Sequence, residues 1–177
     1  VLDECRRLDV AFVAFSPLGR GFLADGVADP ATFAPKDIRR GMPRFAEPCF
    51  SANARLLGPY RKLAAEAGCT PAQLALAWLL HKVPDLIPIP GTTSVAHLEE
   101  NVAAAAVRLD GDLVARLEAL INPATVSGPR YNPATQVEID TERFEGLLGE
   151  GDTLLLCSDG LHGQVTDAEL EALAAQA

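Results

Sequence analysis

A continuous apolar run, Val10 to Phe15, constrains the fold of this chain more than any other feature. It lies between a charged segment, Asp3 to Asp9, and the glycine-containing sequence Ser16 to Gly21. A strand that is covered on both faces lacks polar alternation, and such strands are typical of parallel sheets. The run therefore predicts a strand buried on both faces of a parallel sheet, and the charged segment predicts the end of a preceding helix.

Strand-like and helical segments alternate along the first 120 residues. A second apolar segment, Leu86 to Pro90, predicts another short strand, whereas residues 22–50 have no clean period and predict a long loop. Helices are predicted at 52–67, 71–82, 95–106 and 112–120. This alternation indicates an α/β fold with parallel strands. Two strands are too few for a sheet with protected edges, so the order predicts the last units of a larger β/α barrel.

Capping and breaking residues delimit the predicted helices. Thr70 as N-cap, Pro71 at the first helical position and Gln73 three residues after the cap predict a helix start. Thr93 and Ser94 are alternative caps of the helix that begins at Val95. Ser51 predicts a helix start at Ala52, Gly58-Pro59 predicts a break in that helix, and Gly68 predicts its end.

Charge is distributed unevenly along the chain. The formal net charge of −9 argues against a nucleic-acid partner or an anionic membrane surface. All 15 Lys and Arg lie within residues 1–143, together with 17 of the 24 acids, whereas residues 144–177 contain no basic residue. A shift this abrupt predicts a boundary near Phe144.

The cysteine spacing and the hydropathy of the chain bear on its location in the cell. The four cysteines form no C-x-x-C pair, which suits reduced thiols better than a disulfide framework or a zinc site. No apolar run approaches the ~18–20 residues that a bilayer span needs. No secretory leader follows Val1. We therefore expect a cytoplasmic protein.

Glycine-containing turns follow both predicted strands. Ser16 to Gly21 follows the first strand, and Pro90 to Ser94 follows the second and leads directly into a helix. Phosphate-binding loops need close backbone approach and free N–H groups, which glycines and helix N-termini supply. The loops after the last two strands of a barrel commonly hold a phosphate group together. On spacing alone, ordinary strand-exit turns are the alternative.

Four segments of the chain closely resemble the aldo-keto reductases, in the same order and with similar spacing. They are AFVAFSPLGRGFL, GCTPAQLALAWLL, LIPIPGTTSVAHLEENVAA and SGPRY. The similarity covers residues 1–144, from about Val1 to about Phe144. It implies the C-terminal part of an NADP(H)-dependent (β/α)8 TIM barrel, with Val10 to Phe15 as strand seven and Leu86 to Pro90 as strand eight.

The resemblance also implies a set of residues that contact the nicotinamide dinucleotide. Glu100 and Asn101 would hold the adenine edge. Many family members have Lys or Arg around positions 91–97 to bind the 2′-phosphate, whereas this chain has His97 and no Lys or Arg there, so NAD is an alternative to NADP. Lys36, Arg39 and Arg40 are either phosphate contacts or exposed charges. The implied coenzyme contacts are Ser16, Pro17, Leu18, Gly19 and Arg20 after strand seven, and Gly91, Thr93, His97, Glu100 and Asn101 after strand eight.

No catalytic residue is assigned in this chain. Hydride transfer to a carbonyl needs a proton donor with a tuned pKa, and the family's Asp, Tyr, Lys and His come from the first four strands, which have no match here. Tyr60 is predicted on a helix and Tyr131 in a loop, so neither matches the family's catalytic tyrosine. Tyr131 either borders a substrate pocket or lies on the surface. We expect that the chain alone does not reduce carbonyls.

A different resemblance covers residues 145–177. The segment LGEGDTLLLCSDGLHGQVTDAELEAL resembles the PPM class of metal-dependent serine/threonine phosphatases. It predicts a short strand and helix, and it implies that Asp159 is a ligand of a divalent metal. One carboxylate cannot hold Mg²⁺ or Mn²⁺, which take about six oxygen ligands. Metal binding is therefore expected only if the phosphatase-like segment were complete.

Three functions stay open on the sequence. The first is a fragment of an NADP(H)-dependent aldo-keto reductase, an oxidoreductase that keeps part of the coenzyme site and lacks the catalytic tetrad. The second is a phosphatase-related fragment. The third is a non-enzymatic fragment that assembles with a partner. Because two strands leave apolar edges open, we expect self-association.

Overall fold

The computed structural model describes residues 2–27, 29–82 and 86–137 of the 177-residue chain. The chain divides into two units, Val1–Ile139 and Asp140–Ala177, and the description concerns the first of them. The predicted strand and helix at 145–177 lie outside the described residues.

Six helices and two strands are present in the described ranges. Short 3₁₀ turns at Phe22–Ala24, Pro30–Thr32, Ile38–Gly41, Pro43–Phe45 and Ala104–Ala106 connect some of them. None of the described helices alone has the length and apolar character to cross a bilayer; the helices Cys49–Glu66 and Pro71–Lys82 meet that requirement only as a pair bent by 77°. The elements are α1 (Leu2–Arg7), β1 (Phe12–Phe15), α2 (Cys49–Glu66), α3 (Pro71–Lys82), β2 (Leu86–Ile89), α4 (Val95–Ala103), α5 (Gly111–Leu120) and α6 (Pro133–Val137).

The two strands pair in parallel, as predicted, with Phe12 opposite Leu86. The prediction that the first strand is buried on both faces is wrong for the described structure. Ala14 is 9% exposed, whereas Val13 is 51% exposed on the opposite face. The reason is that Leu2 of α1 and Leu79 of α3 cover only the Ala14 face. The other face of the sheet is largely open among the described residues.

Helix α3 has the predicted bounds, and its capping box is formed. The Gln73 backbone N–H donates to the Thr70 hydroxyl at 3.2 Å, and the Thr70 N–H donates to the Gln73 side-chain oxygen at 3.1 Å. The hydroxyl of Tyr60 in α2 donates to the Pro71 carbonyl at 2.7 Å, which holds the start of α3 against α2. The core between α2, α3 and α5 consists of Tyr60, Leu63, Ala64, Leu74, Leu113 and Leu117.

The predicted break at Gly58-Pro59 does not occur. Helix α2 is continuous from Cys49 to Glu66 with Pro59 inside it. Pro59 lies on the exposed side, whereas Leu57 and Tyr60 on either side of it are buried in the core. Packing of these side chains outweighs the missing N–H of proline, and the carbonyl left unpaired lies where solvent reaches it.

The predicted helix end at Gly68 is confirmed. Gly68 has φ +66°, and the Cys69 N–H donates to the Ala64 carbonyl at 3.0 Å. This is the six-to-one hydrogen bond of a Schellman motif, in which glycine adopts the left-handed conformation without steric cost. The turn directs the chain straight into the start of α3.

The segment 22–50 is better ordered than a long irregular loop. Four of its residues, Val27, Phe33, Phe45 and Phe50, form a small apolar cluster. The ring of Phe22 packs edge-on against Phe45 and Phe50, with centroid distances of 6.3 and 6.2 Å. These contacts fold the segment back onto α2 and next to the turn that follows β1.

Candidate functional site

The turns after the two strands form opposite walls of a single pocket of about 330 Å³. Parallel pairing brings both carboxyl ends to the same edge of the sheet, which is where α/β proteins bind ligands. Gly19 and Thr93 belong to these turns but do not line the pocket. The other eight predicted coenzyme contacts line it: Ser16, Pro17, Leu18, Arg20, Gly91, His97, Glu100 and Asn101.

The first wall is a tightly wound turn with unusual backbone angles. Ser16 and Arg20 have φ of 50° and 58°, a conformation that is uncommon for residues with a side chain. The Gly19 N–H donates to the Ser16 carbonyl at 3.0 Å, and the Gly21 N–H donates to the Leu18 carbonyl at 3.2 Å. Strained residues of this kind often occur at ligand sites, where the surrounding structure fixes them.

Two residues of the first wall have no motif that identifies them in the sequence. Ala24 and Gly26 line the pocket. The Gly26 N–H donates to the Gly21 carbonyl at 2.9 Å, and a Cβ on Gly26 would lie 3.1 Å from that oxygen. A side chain at position 26 would therefore crowd the Gly21 carbonyl, and the three small residues Gly21, Ala24 and Gly26 are the sequence feature that could have indicated this part of the wall.

The second wall is the start of α4. Ser94, not Thr93, caps the helix: its hydroxyl accepts from the His97 N–H at 3.4 Å. The helix therefore begins at the pocket, where its free N–H groups carry partial positive charge. His97, Glu100 and Asn101 follow at i, i+3 and i+4 and share one face. The Glu100 carbonyl accepts from the Gln73 side chain at 3.1 Å, which fixes α4 to α3.

Arg39 supports the first wall rather than facing the pocket. It pairs with Asp37 at 2.6 Å and donates a second hydrogen bond to the Arg20 carbonyl at 3.2 Å. The hydrogen bonds from Arg39 lower the pKa of Asp37 to about 2. Arg40 donates to the Phe33 carbonyl at 2.9 Å, whereas Lys36 is exposed. Lys36, Arg39 and Arg40 were predicted to be either phosphate contacts or exposed charges. Arg39 and Arg40 instead form bonds within the protein.

Tyr131 is a buried residue next to the first wall. It is 9% exposed, and its hydroxyl accepts from the Arg20 guanidinium at 3.3 Å. Tyr131 does not line this pocket, and its burial shows that the predicted surface position is wrong; a position beside a substrate pocket stays a prediction. In the described structure Tyr131 holds the side chain of Arg20, which contributes positive charge to the pocket.

The segment that carries Tyr131 is clamped to α2 by Asn53. The Asn53 amide donates to the Ser127 carbonyl at 3.0 Å and accepts from the Ser127 N–H at 2.7 Å. Gly128 has φ +82°, and a Cβ there would lie 2.8 Å from the Cys49 sulfur. Asn53 was not identified from the sequence. Its spacing is the sequence feature that could have identified it. Asn53 precedes the buried Leu57 by four residues and the buried Tyr60 by seven, so it lies on the same buried face of the helix.

The last two residues considered in the sequence, Tyr60 and Asp159, lie away from the pocket or outside the described part of the chain. Tyr60 lies on a helix, as predicted, and burial raises the pKa of its hydroxyl above the usual range, so it acts as a structural donor. Asp159 lies outside the described residues. Within 2–27, 29–82 and 86–137, no three His, Cys, Asp or Glu side chains are grouped as metal ligands would be.

Comparisons with known proteins agree with the first resemblance. The sequence profile of the Aldo/keto reductase family matches residues 1–122. The chain is 39% identical over 139 residues to the aldo-keto reductase yakc of Schizosaccharomyces pombe, whose name specifies NADP(+); this match covers 78% of the chain and 41% of the relative. The chain thus spans about two fifths of that protein's length.

A solved structure supports the fold. The described fold is similar to the glycerol dehydrogenase of Gluconobacter oxydans, with a TM-score of 0.65 and 21% identity. The similarity covers 75% of the chain and 40% of the dehydrogenase. At this identity the match concerns the α/β fold alone.

Proposed function

The chain belongs to the aldo/keto reductase family, and on this basis we propose that it binds a nicotinamide dinucleotide in the pocket between the two strand-exit turns. NADP(H) is the preferred coenzyme because the name of the yeast relative specifies it. NAD(H) is the alternative, since residues 91–97 contain no Lys or Arg. The reaction class of the family is oxidoreduction of carbonyls and alcohols.

We propose that β1 and β2 correspond to strands seven and eight of a (β/α)8 barrel, with residues 1–144 as its C-terminal part. Their parallel pairing supports this assignment, as does the fraction of the relatives' length that the chain spans. The proposal includes no catalytic tetrad in this chain and no carbonyl reduction by the chain alone. A cytoplasmic location, based on the cysteine pattern, stays a prediction.

The proposed roles follow from the chemistry of each wall. The coenzyme phosphates would lie between the Ser16 to Arg20 turn and the N-terminus of α4, where backbone N–H groups and the Arg20 guanidinium supply positive charge. Glu100 and Asn101 would hold the adenine. His97 is the closest substitute for the basic residues that would bind a 2′-phosphate.

The convergence of family-matched residues supports the proposal most strongly. Eight residues from segments about 70 residues apart meet around one pocket at the carboxyl end of a parallel sheet. The alternative, that both segments are ordinary turns after strands, does not require these features to occur together. A strained turn, a helix N-terminus, and an adjacent acceptor and amide at one pocket favour a binding site.

Titration of the chain with NADP(+) tests the proposal. Trp78 is the single tryptophan and lies on α3 about 9 Å along the axis from Ala72, which lines the pocket. Saturable quenching of its fluorescence, together with heat released in calorimetry, is the expected result. An NAD(+) titration under the same conditions determines the coenzyme preference. Absence of saturable binding by both methods would contradict the proposal.

The two other functions have weaker support. The phosphatase resemblance concerns residues 145–177 with Asp159, which lie outside the described part; manganese-stimulated release of phosphate from a phosphoester would support it. An assembling fragment is favoured by one observation, the open apolar face of the sheet with Val13, Phe15, Ile87 and Ile89 each about half exposed.

A further inference from the structure

Helix α4 carries three of the predicted coenzyme contacts but is only loosely packed in the described structure. None of its nine residues is buried. Its apolar side chains Val95, Leu98 and Val102 are each more than half exposed. Packing of a buried face supplies most of the stability of a helix in a protein. The position of α4 therefore depends on the few other bonds that it makes.

Among the described residues, one side-chain hydrogen bond connects α4 to another helix. The side-chain nitrogen Nε2 of Gln73 in α3 donates to the Glu100 carbonyl at 3.1 Å. Glu100 and Asn101 are the half-buried residues of α4, and both line the pocket. Ala104, directly after α4, is 1% exposed and anchors the end of the helix. The Gln73 bond thus holds α4 at the two residues that face the pocket.

The oxygen of the same amide closes the capping box of α3. Oε1 of Gln73 accepts from the Thr70 N–H at 3.1 Å, while Nε2 faces the Glu100 carbonyl. These two partners fix the orientation of the amide, because the N–H needs an oxygen and the carbonyl needs a donor. A carboxylate could satisfy Thr70 but not Glu100. Joining both helices therefore requires an amide at this position.

The start of α3 is itself firmly anchored. The Tyr60 hydroxyl donates to the Pro71 carbonyl at 2.7 Å, which attaches this turn to α2. Ala72 follows, is 5% exposed, and lines the pocket. Gln73 does not line the pocket. Its side chain instead connects a wall of the pocket that is buried in the core to a wall, α4, that is not.

We propose that Gln73 is a positioning residue, which holds the pocket face of α4 in place before the coenzyme binds. It acts through Glu100 and Asn101 and makes no contact with the coenzyme. The proposal rests on the proposed function, because these two residues are the ones assigned to the adenine. A helix that is fixed in advance loses less conformational entropy on binding, so the affinity is higher.

Amide hydrogen exchange of the ligand-free 177-residue chain at pH 7 tests whether Gln73 holds α4. Gln73→Glu keeps the oxygen that caps α3 and removes the donor to Glu100. Thr70→Val is the matched variant: it removes the capping hydroxyl and leaves that donor in place. Relative to the amides of α5, those of α4 should exchange about threefold faster or more in Gln73→Glu, as for the loss of one hydrogen bond. Thr70→Val should leave them unchanged.

Calorimetric titration with NADP(+) tests the consequence for the coenzyme. Gln73→Met is used here because it adds no charge next to an anionic ligand, and it removes the bond to α4 together with one bond of the capping box. The affinity should fall about threefold or more. Thr70→Val also loses a bond of the capping box but should bind as the unmodified chain does. Circular dichroism and urea denaturation of each variant control for folding and stability.

The outcomes separate this proposal from the proposed function. Equal exchange rates of α4 in Gln73→Glu and the unmodified chain overturn the proposal. Unchanged affinity in Gln73→Met also overturns it, as does an equal loss in Gln73→Met and Thr70→Val, because the loss then follows the stability of α3. If the unmodified chain does not bind NADP(+), the coenzyme assignment fails, and the exchange rates still decide whether Gln73 holds α4.

Discussion

Glu100 and Glu99 are adjacent on α4 but differ in environment, and this difference provides a test of the coenzyme site. Glu100 is half-buried and lines the pocket, whereas Glu99 is exposed and does not. Glu100→Ala should weaken NADP(+) binding about tenfold, because a hydrogen bond to a charged group contributes ~1.5–3 kcal/mol. Glu99→Ala is the matched control and should bind as the unmodified chain does. Equal affinities in the two variants would exclude a role for Glu100.

Asn53 offers a second test at the scale of single residues. Its amide makes both hydrogen bonds to Ser127 and is 4% exposed. Asn53→Ala should lower the free energy of unfolding by ~1–3 kcal/mol, because it leaves the half-buried N–H and carbonyl of Ser127 without their partner. Urea denaturation measures the change. Arg55→Ala, at an exposed position of the same helix, should change stability little, and a similar loss in both variants would contradict a specific clamp.

Asp37 predicts how stability responds to acid. Its folded pKa, about 2, is below the ~3.9 of an unfolded aspartate because Arg39 donates hydrogen bonds to it. The stabilisation is therefore fully present above pH ~4 and is lost as the pH falls through 2. Asp37→Asn should flatten the decline of the thermal midpoint between pH 4 and 2. Identical slopes in Asp37→Asn and the unmodified chain would show that the pair is not formed in solution.

The predicted coenzyme contacts converge on one pocket, whereas the side chains that support this pocket were not predicted. Eight of ten positions matched to the family line one pocket, because local motifs place them directly after strands or on one face of a helix. Asn53 was missed because its partner, Ser127, is 74 residues away and no local pattern connects them. The pairing of Arg39 with Asp37 was missed for a different reason: a charged residue in a loop is usually exposed.

At the scale of elements, the predicted start of α3 and the predicted end at Gly68 are confirmed, whereas two predictions for α2 are wrong: it begins at Cys49 rather than after a Ser51 cap, and Pro59 does not break it. The capping box of Thr70 and Gln73 and the glycine at 68 act locally, so their effect is readable from sequence. The effect of Pro59 depends on whether its neighbours are anchored in a core. Leu57 and Tyr60 are anchored, and α2 stays continuous.

Pro59 also gives a prediction at this scale. Pro59→Ala would restore one backbone hydrogen bond in an exposed helix turn without removing a core contact. Proline is ~3 kcal/mol less favourable than alanine inside a helix, and its restriction of the unfolded chain offsets ~0.4–1 kcal/mol of that. We expect stability to rise by about 2 kcal/mol, measured by urea denaturation. A loss of stability would mean that the proline ring makes a contact that the helix needs.

At the scale of the whole molecule, we expect the sheet face that is open among the described residues to determine behaviour in solution. Val13, Phe15, Ile87 and Ile89 present about half of each side chain to solvent among the described residues. We expect the chain to self-associate as its concentration rises, measurable by light scattering. The double variant Val13→Thr, Ile87→Thr should reduce association, whereas Leu98→Thr, at an exposed position of α4, should reduce it less. A concentration-independent monomer would contradict this prediction.

The sequence indicated the α/β class and the parallel pairing, because strand and helix periods are local. It could not indicate that one sheet face stays open in the described structure, since burial depends on which other segments are present. The expectation of a strand buried on both faces came from the apolar pattern of Val10 to Phe15 and was wrong for this reason.

The register of the strand pair has a consequence for isotope exchange. In a parallel pair, the amides of successive residues point alternately toward the partner and away from it. Within the described residues each strand has a single neighbour, so every second amide of Phe12–Phe15 faces an empty edge; in Leu86–Ile89 the pattern is interrupted at Pro88, which has no N–H. Deuterium uptake followed by nuclear magnetic resonance should therefore alternate from fast to slow along Phe12–Phe15. A further strand docking on either side would convert the fast set to slow and identify the side on which it bound.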